Sequence, residues 1–228
     1  ATSSAASDVY KRQSLNINLP KKLKINKFSS DILDRKWDLI VIAVSSIGID
    51  LIGKNLSKIK NKSPILVLTK GLKLDGRNLI SMSSLLKKYN KNLNISVLKG
   101  PCLAKELAKK VKSFTVVANK NINTAKKIGK LISTNYYQTE FSRDVNGVEF
   151  LSAIKNIYSM IIGAGQWHNT SSALFRKSID EMKYLANYFK GKKETVYGLA
   201  GLGDLYVSAM GGRTVSYTHL TLPTTLQV

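Results

Sequence analysis

The amino-acid sequence predicts an α/β chain in which a domain built on a parallel sheet is followed by an all-helical domain. Three observations carry this. Apolar runs of strand length, such as 39–44 (LIVIAV) and 65–68 (ILVL), are bounded by polar residues, the pattern of strands covered on both faces. Between them Ile49, Ile52, Leu56 and Ile59 recur at helical spacing within 48–60, which makes a βαβ unit. After Ser142 the apolar period becomes three and four residues, and no strand pattern returns.

The elements follow in order. A helix over 79–89, a strand over 95–98, a helix over 104–111, a strand over 114–118, a helix over 125–132 and a strand over 136–141 continue the alternation. Val145, Val148, Leu151, Ile154, Tyr158, Ile161 and Ile162 then mark one long helix, and 174–189 a second. The run 190–195 (KGKKET) reads as a turn, and 196–210, rich in small residues, as helical in pieces. The border between the two domains falls near 142–147, and clefts between such domains are preferred ligand sites.

Composition narrows the function classes. The chain has 228 residues, of which 43% are hydrophobic, enough for real cores. Thirty-six Lys and Arg face 14 Asp and Glu, a formal charge of +22. The basic residues are spread along the chain with no basic block interleaved with aromatics, so a solvated lysine-rich surface is preferred over a nucleic-acid site. One cysteine, Cys102, excludes an internal disulfide framework, and two histidines, His168 and His219, offer little for a metal site. A reducing, cytoplasmic compartment fits this usage. No apolar run reaches the length of a membrane span, and the first residues lack the apolar core of a secretory signal.

Both ends differ in composition from the rest. Segments 1–13 (ATSSAASDVYKRQ) and 214–228, containing VSYTHLTLPTTLQV, lack the Lys, Ile and Asn bias and resemble translated sequencing-adapter sequence. They are expected to be non-native tails, native disordered tails being the alternative. The sheet domain is then 14–142, the helical domain 143–213, and the chain a fragment.

Several positions invite chemistry. Lys70, in Thr69-Lys70-Gly71, stands directly after the strand 65–68, at the sheet edge where open α/β folds bind ligands, although a solvated loop lysine is the plainer reading. Gly100, before Pro101, Cys102 and Ala104, would let backbone approach a ligand, or would serve a simple strand-to-helix turn. Cys102 reads as a small buried hydrophobe or as a thiol without a histidine near it in sequence. Lys155 and Asn156 interrupt an apolar helix, which is costly unless they face a polar cleft, and desolvation can tune such a lysine as an acid or base. The segment 198–204 (GLAGLGD) does not fit a dinucleotide loop, but it offers close packing and a carboxylate, Asp204. Arg213, after two glycines, suits a phosphate through its bidentate fork.

In order and spacing, 38–44 (DLIVIAV), Thr69-Lys70-Gly71, 100–107 (GPCLAKEL), 148–157 (VEFLSAIKNI) and 198–205 (GLAGLGDL) resemble NAD(P)-dependent glycerol-3-phosphate dehydrogenases over about 15–213. The resemblance implies a partial Rossmann-type sheet domain and a helical substrate domain. It implies reversible hydride transfer between NADH or NADPH and dihydroxyacetone phosphate, giving sn-glycerol 3-phosphate for phospholipid synthesis. Lys155 would be the general acid, with Lys70 and Asp204 beside it. Gly100, Cys102, Asn156, Ser208 and Arg213 would border the substrate, and Lys70, Ala104 and Arg213 the cofactor. No metal, nucleic acid or membrane is implied, and a homodimer stays open. Another two-domain reductase of the same superfamily and a basic nucleic-acid-binding module are the alternatives. The chain departs from the family's pattern in three ways. No Gly-rich pyrophosphate turn precedes 38–44, Cys102 stands where the family has Ser, and Thr214 where it has Asn.

Overall fold

The structure, a computed structural model, describes residues 22–58, 62–165 and 167–211, with Gly211 at the level of its backbone. The expectations for Ile59, Arg213 and Thr214 lie outside these residues. The strands are β1 (Ile40–Ile42), β2 (Ile65–Val67), β3 (Leu72–Asp75), β4 (Asn78–Ser81), β5 (Ile95–Lys99), β6 (Ser113–Ala118) and β7 (Tyr137–Ser142). The α-helices are α1 (Asp31–Asp34), α2 (Ile49–Leu56), α3 (Met82–Tyr89), α4 (Ala104–Ala108), α5 (Ile122–Ile132), α6 (Val145–Ala164), α7 (His168–Tyr188) and α8 (Asp204–Gly211). Five strands form one sheet in the order β1-β2-β5-β6-β7, while β3 and β4 pair as a separate hairpin.

β2 shows why its sequence is continuously apolar. Ile65 and Val67 enter a core with Ile42, Ile49, Leu56, Met82 and Val97, while Leu66 points to the opposite face among Val117, Ala125 and Ile128. Side chains alternate across a strand, so a strand covered on both faces needs apolar residues throughout. β1 lies at the sheet edge, and its central Val41 is half exposed, so burial on both faces holds for β2 and not for β1.

Two expectations need correction. The sheet is mixed rather than parallel: β1, β2 and β5 run parallel, β6 runs antiparallel to β5, and β7 parallel to β6. The link from β5 to β6 contains a helix of only five residues. At 1.5 Å per residue it advances about 8 Å, roughly half the length of a five-residue strand, so it cannot return the chain to the start of the sheet. The eleven residues of α5 can, and β7 pairs parallel to β6.

The second correction is the hairpin. The helix expected over 79–89 begins at Met82, and its first residues instead form β4. Asp75-Gly76 marks the turn, with Gly76 at φ +59 between partners Asp75 and Asn78. Ser81 then accepts the Ser84 amide and starts α3.

The helical part packs Leu151, Ile154, Tyr158 and Ile162 of α6 against Ile179, Met182 and Ala186 of α7, closed by Val196 and Leu205. α7 starts at His168, ahead of the expected 174, and its polar first turns carry no apolar period that could have marked that start. Asp144 caps α6 by accepting the Gly147 amide at 3.0 Å, and it also accepts from the Lys192 amide at 2.8 Å and Thr195 Oγ1 at 2.6 Å. One carboxylate therefore fixes both the start of α6 and the 3₁₀ turn Lys193–Tyr197. A π-helical turn, Leu199–Gly203, leads from there into α8.

Gly201 is where this approach is tightest: a Cβ there would lie 2.2 Å from the Val196 carbonyl oxygen, a backbone atom that cannot swing away. Gly201→Ala is expected to cost about 1–3 kcal/mol by overpacking. Gly198→Ala, whose nearest neighbour would be 3.5 Å away at an exposed site, should stay within about 0.5 kcal/mol. Urea denaturation of both variants checks this, and equal midpoints would refute the packing argument.

Candidate active site

Three elements bring three charges together. Lys70 follows β2, Lys155 lies in the middle of α6, and Asp204 is the first residue of α8. Lys70 Nζ donates to Asp204 Oδ2 at 3.0 Å, and Lys155 Nζ donates to Oδ1 of the same carboxylate. Ser152 Oγ, one turn before Lys155, also donates to Oδ2 at 3.4 Å. Asp204 is 2% exposed and Lys155 7%, whereas the Lys70 side chain is 40% exposed and opens to solvent. A carboxylate in the first turn of α8 is also favoured by the amide dipoles there.

The electrostatics follow from this burial. Desolvation lowers the Lys155 pKa from its usual 10.5 to about 8, with Lys70 acting in the same direction and Asp204 opposing both. An amine of that pKa can give up or accept a proton near neutral pH, which an ordinary surface lysine does not.

The remaining candidate residues are placed as follows. Gly100 directly follows β5 at φ +119, and a Cβ there would meet Thr115 Cα at 3.3 Å and Leu199 Cβ at 3.6 Å. Its glycine is therefore required by conformation and by close packing against β6 and the π turn. Cys102 is exposed, and burial of its sulfur raises the thiol pKa while Lys70 lowers it. Ala104 is exposed at the start of α4. Asn156, about 100° round α6 from Lys155, is exposed, and its carbonyl accepts from Ser159 Oγ at 2.9 Å. Ser208 is buried, with its hydroxyl donating to the Asp204 carbonyl at 2.8 Å, so it braces the turn that carries the carboxylate. Arg213 lies outside the described residues. A cavity of about 500 Å³ between the hairpin and the ends of α6 and α7, lined by Arg77, Phe150 and Lys190 among others, contains none of the three charged residues.

Three buried charges escape the sequence reading: Asp144 at the start of α6, Glu149 and Lys99. Glu149 accepts from Ser81 Oγ at 2.7 Å, from the Ser83 amide at 3.1 Å and from Ser83 Oγ, tying α6 to the start of α3. Lys99 closes β5 with its side chain 3% exposed. For Glu149 a signal exists: with Ser152, Lys155 and Ser159 it forms a polar stripe at spacings of three, three and four along a buried helix. Among the described residues, no cluster of His, Cys, Asp and Glu could hold a metal. No helix there is long and apolar enough to cross a membrane.

The chain is similar to known proteins over both its sheet part and its helical part. Residues 7–125 match the family model described as NAD-dependent glycerol-3-phosphate dehydrogenase N-terminus, and residues 144–223 the corresponding C-terminus. Glycerol-3-phosphate dehydrogenase [NAD(P)+] of Clostridium botulinum is 32% identical over 202 residues, covering 85% of this chain and 59% of the relative. The same enzyme of Fusobacterium nucleatum is 32% identical over 200 residues, with the same coverage of 85% and 59%. The chain therefore spans about three fifths of the length of these relatives. The crystal structure of glycerol-3-phosphate dehydrogenase from Coxiella burnetii superposes with a TM-score of 0.80 at 26% identity, covering 91% of this chain and 65% of that one. The enzyme from Saccharomyces cerevisiae, at 23% identity and a TM-score of 0.79, shares the fold over 90% of this chain and 62% of its own. With the Lys70, Lys155 and Asp204 cluster at the junction of sheet and helices and both family models matched in order, the chain belongs to the NAD-dependent glycerol-3-phosphate dehydrogenase family.

Proposed function

We propose that this chain carries the catalytic centre of an NAD(P)-dependent glycerol-3-phosphate dehydrogenase, interconverting dihydroxyacetone phosphate and sn-glycerol 3-phosphate in the cytoplasm for phospholipid synthesis. The observation that carries the reading is Lys155, a buried amine with its pKa lowered to about 8, held against Asp204 beside Lys70. NAD(P)H, when bound, would supply the hydride for C2, and Lys155 Nζ would give its proton to the C2 oxygen of dihydroxyacetone phosphate as negative charge develops there. In the reverse direction the neutral Lys155 amine takes the C2 hydroxyl proton.

Asp204 fixes where that amine points, and it opposes desolvation enough to keep the ammonium populated at neutral pH. Lys70, more exposed and on the same carboxylate, presents a second donor for the substrate oxygens, with Asn156 at the rim. The exposed Cys102 and Ala104, within one turn of each other, fit the border between substrate and nicotinamide, because a methyl and a thiol leave space for a flat ring. A net positive cluster suits a phosphorylated substrate, with Arg213 as the group for its phosphate.

Steady-state kinetics of the full protein test this. Lys155→Met is expected to lower kcat for dihydroxyacetone phosphate reduction by about 10²–10⁴, with KM little changed. Near-normal kcat would remove Lys155 from the mechanism.

The pH dependence has a sign. Reduction needs the ammonium, so its rate falls as pH rises through about 8, and oxidation needs the amine, so its rate climbs through the same range. A pH–rate profile in each direction shows this, and limbs that persist unchanged in Lys155→Met would assign them elsewhere.

Asp204→Asn removes the attraction that holds the Lys155 pKa up, so the alkaline limb of reduction should move below pH 8. The same change leaves two lysines facing each other without a buried counter-charge and should cost about 3 kcal/mol of stability. Chemical denaturation measures that cost, and a limb moving upward would contradict the assigned electrostatics.

A further inference from the structure

Lys99 is the last residue of β5, and its side chain turns inward, 3% exposed. Its Nζ donates to the carbonyl of Leu68 at 3.0 Å and to the carbonyl of Thr69 at 2.6 Å. These two residues come directly before Lys70. The backbone ladder between β2 and β5 ends at the pair Val67 and Val97. Beyond it the Lys99 side chain supplies donors to the Leu68 and Thr69 carbonyls. On the opposite side, Thr69 Oγ1 donates to the Val44 carbonyl at 2.7 Å, tying the same segment to the end of β1. The chain then enters Gly71 at φ +144, where a Cβ would lie 3.2 Å from Ser46 Cβ.

We infer that Lys99 is a positioning residue for the candidate active site: its ammonium clamps the two carbonyls before Lys70 and so sets the backbone from which Lys70 reaches Asp204. Packing alone does not call for a lysine here, since an apolar side chain would fill the end of a core strand without the cost of burying an amine. What an apolar side chain cannot do is satisfy the buried Thr69 carbonyl and the partly buried Leu68 carbonyl. Desolvation lowers the Lys99 pKa to about 8, yet ammonium and neutral amine both keep at least two N–H bonds, so the clamp survives the change of charge. Lys99 itself touches no substrate in this scheme and acts through Lys70. The catalytic part of the inference rests on the proposed function, and the structural part does not.

The experiment compares wild type, Lys99→Met and Lys99→Gln in the full protein by amide hydrogen exchange and by steady-state kinetics. Met keeps the length and removes the donors, while Gln keeps an N–H donor on a shorter stem. In Lys99→Met, exchange over 69–71 should rise about tenfold or more, while β6 stays within about twofold of wild type. Its kcat for reduction should drop about tenfold with KM changed by less than about threefold, and Lys99→Gln should recover a substantial part of both. Unchanged exchange over 69–71 in Lys99→Met would overturn the inference. So would a rise spread evenly over the sheet with Gln no better than Met, which is the mark of a packing role. Should Lys99→Met fail to fold, Lys99→Gln decides by the same comparison, since local exchange over 69–71 must lie above wild type and β6 must not. A wild-type protein without dihydroxyacetone phosphate reductase activity would sink the proposed function, and exchange would still decide the clamp.

Discussion

The carboxylate of Asp204, buried between two lysines that come from distant parts of the chain, is the constraint on which the site depends. An ion removed from water costs several kcal/mol, and pairing recovers that cost only with good geometry and further hydrogen bonds. Here the geometry is enforced from three directions. α6 brings Lys155 and Ser152, the end of β2 brings Lys70, and the π turn delivers Asp204 at the start of α8. The balance leaves Lys155 at about 8, well below an ordinary lysine, with desolvation and Lys70 pulling it down and Asp204 holding it up. A lysine buried alone would lose its proton more readily, and a lysine paired at the surface would hold it too tightly to exchange.

α6 makes that arrangement rigid. Its apolar residues enter the helical core, while Val148 reaches the core of the sheet. Its polar stripe spans the same junction, with Glu149 bound to the start of α3 and Lys155 to Asp204. A single helix therefore anchors the Lys155 amine and joins the core of the sheet to the helical core. Asp144, at its N-terminus, couples the helix to the 3₁₀ turn that precedes the π turn, so displacing α6 would displace Asp204 too.

Legibility in the sequence follows the range of the physics. Strands such as β2 and helices such as α6 were readable because burial imposes a period on neighbouring residues. Lys155 and Asn156 stood out because a charge and an amide interrupted that period, and the structure buries Lys155 and leaves Asn156 exposed. The hairpin was missed although Asp75-Gly76 announces it, because Leu79, Ile80 and Met82 also suit a helix. Lys99 was unreadable for a different reason. Among 36 Lys and Arg, nothing local separates a strand-end lysine in solvent from one turned inward, and its partners are the carbonyls of another strand. The resemblance implies that Ser208 and Gly100 border the substrate; the structure adds that Ser208 donates to the Asp204 carbonyl and that Gly100 packs against Thr115 and Leu199, contacts that spacing along the chain does not reveal.

The reversal of β6 bears on the site as directly as any side chain. Had the link after β5 carried a long crossover helix, the chain would have left the carboxyl edge of the sheet for the opposite edge. Gly100, Cys102 and Ala104 lie at the edge where Lys70 emerges because β5 runs parallel to β2, and the short link, with its five-residue helix, then starts β6 from that same edge. Gly100 makes this possible twice over, by taking φ +119 and by lying flush against Thr115 on the returning strand and Leu199 in the π turn. The same glycine thus packs the sheet against the turn that presents Asp204. The net charge of +22 plays no comparable part, because most lysines are exposed and screened by solvent. What distinguishes Lys155 and Lys99 is burial against a defined acceptor, the Asp204 carboxylate for one and the Leu68 and Thr69 carbonyls for the other.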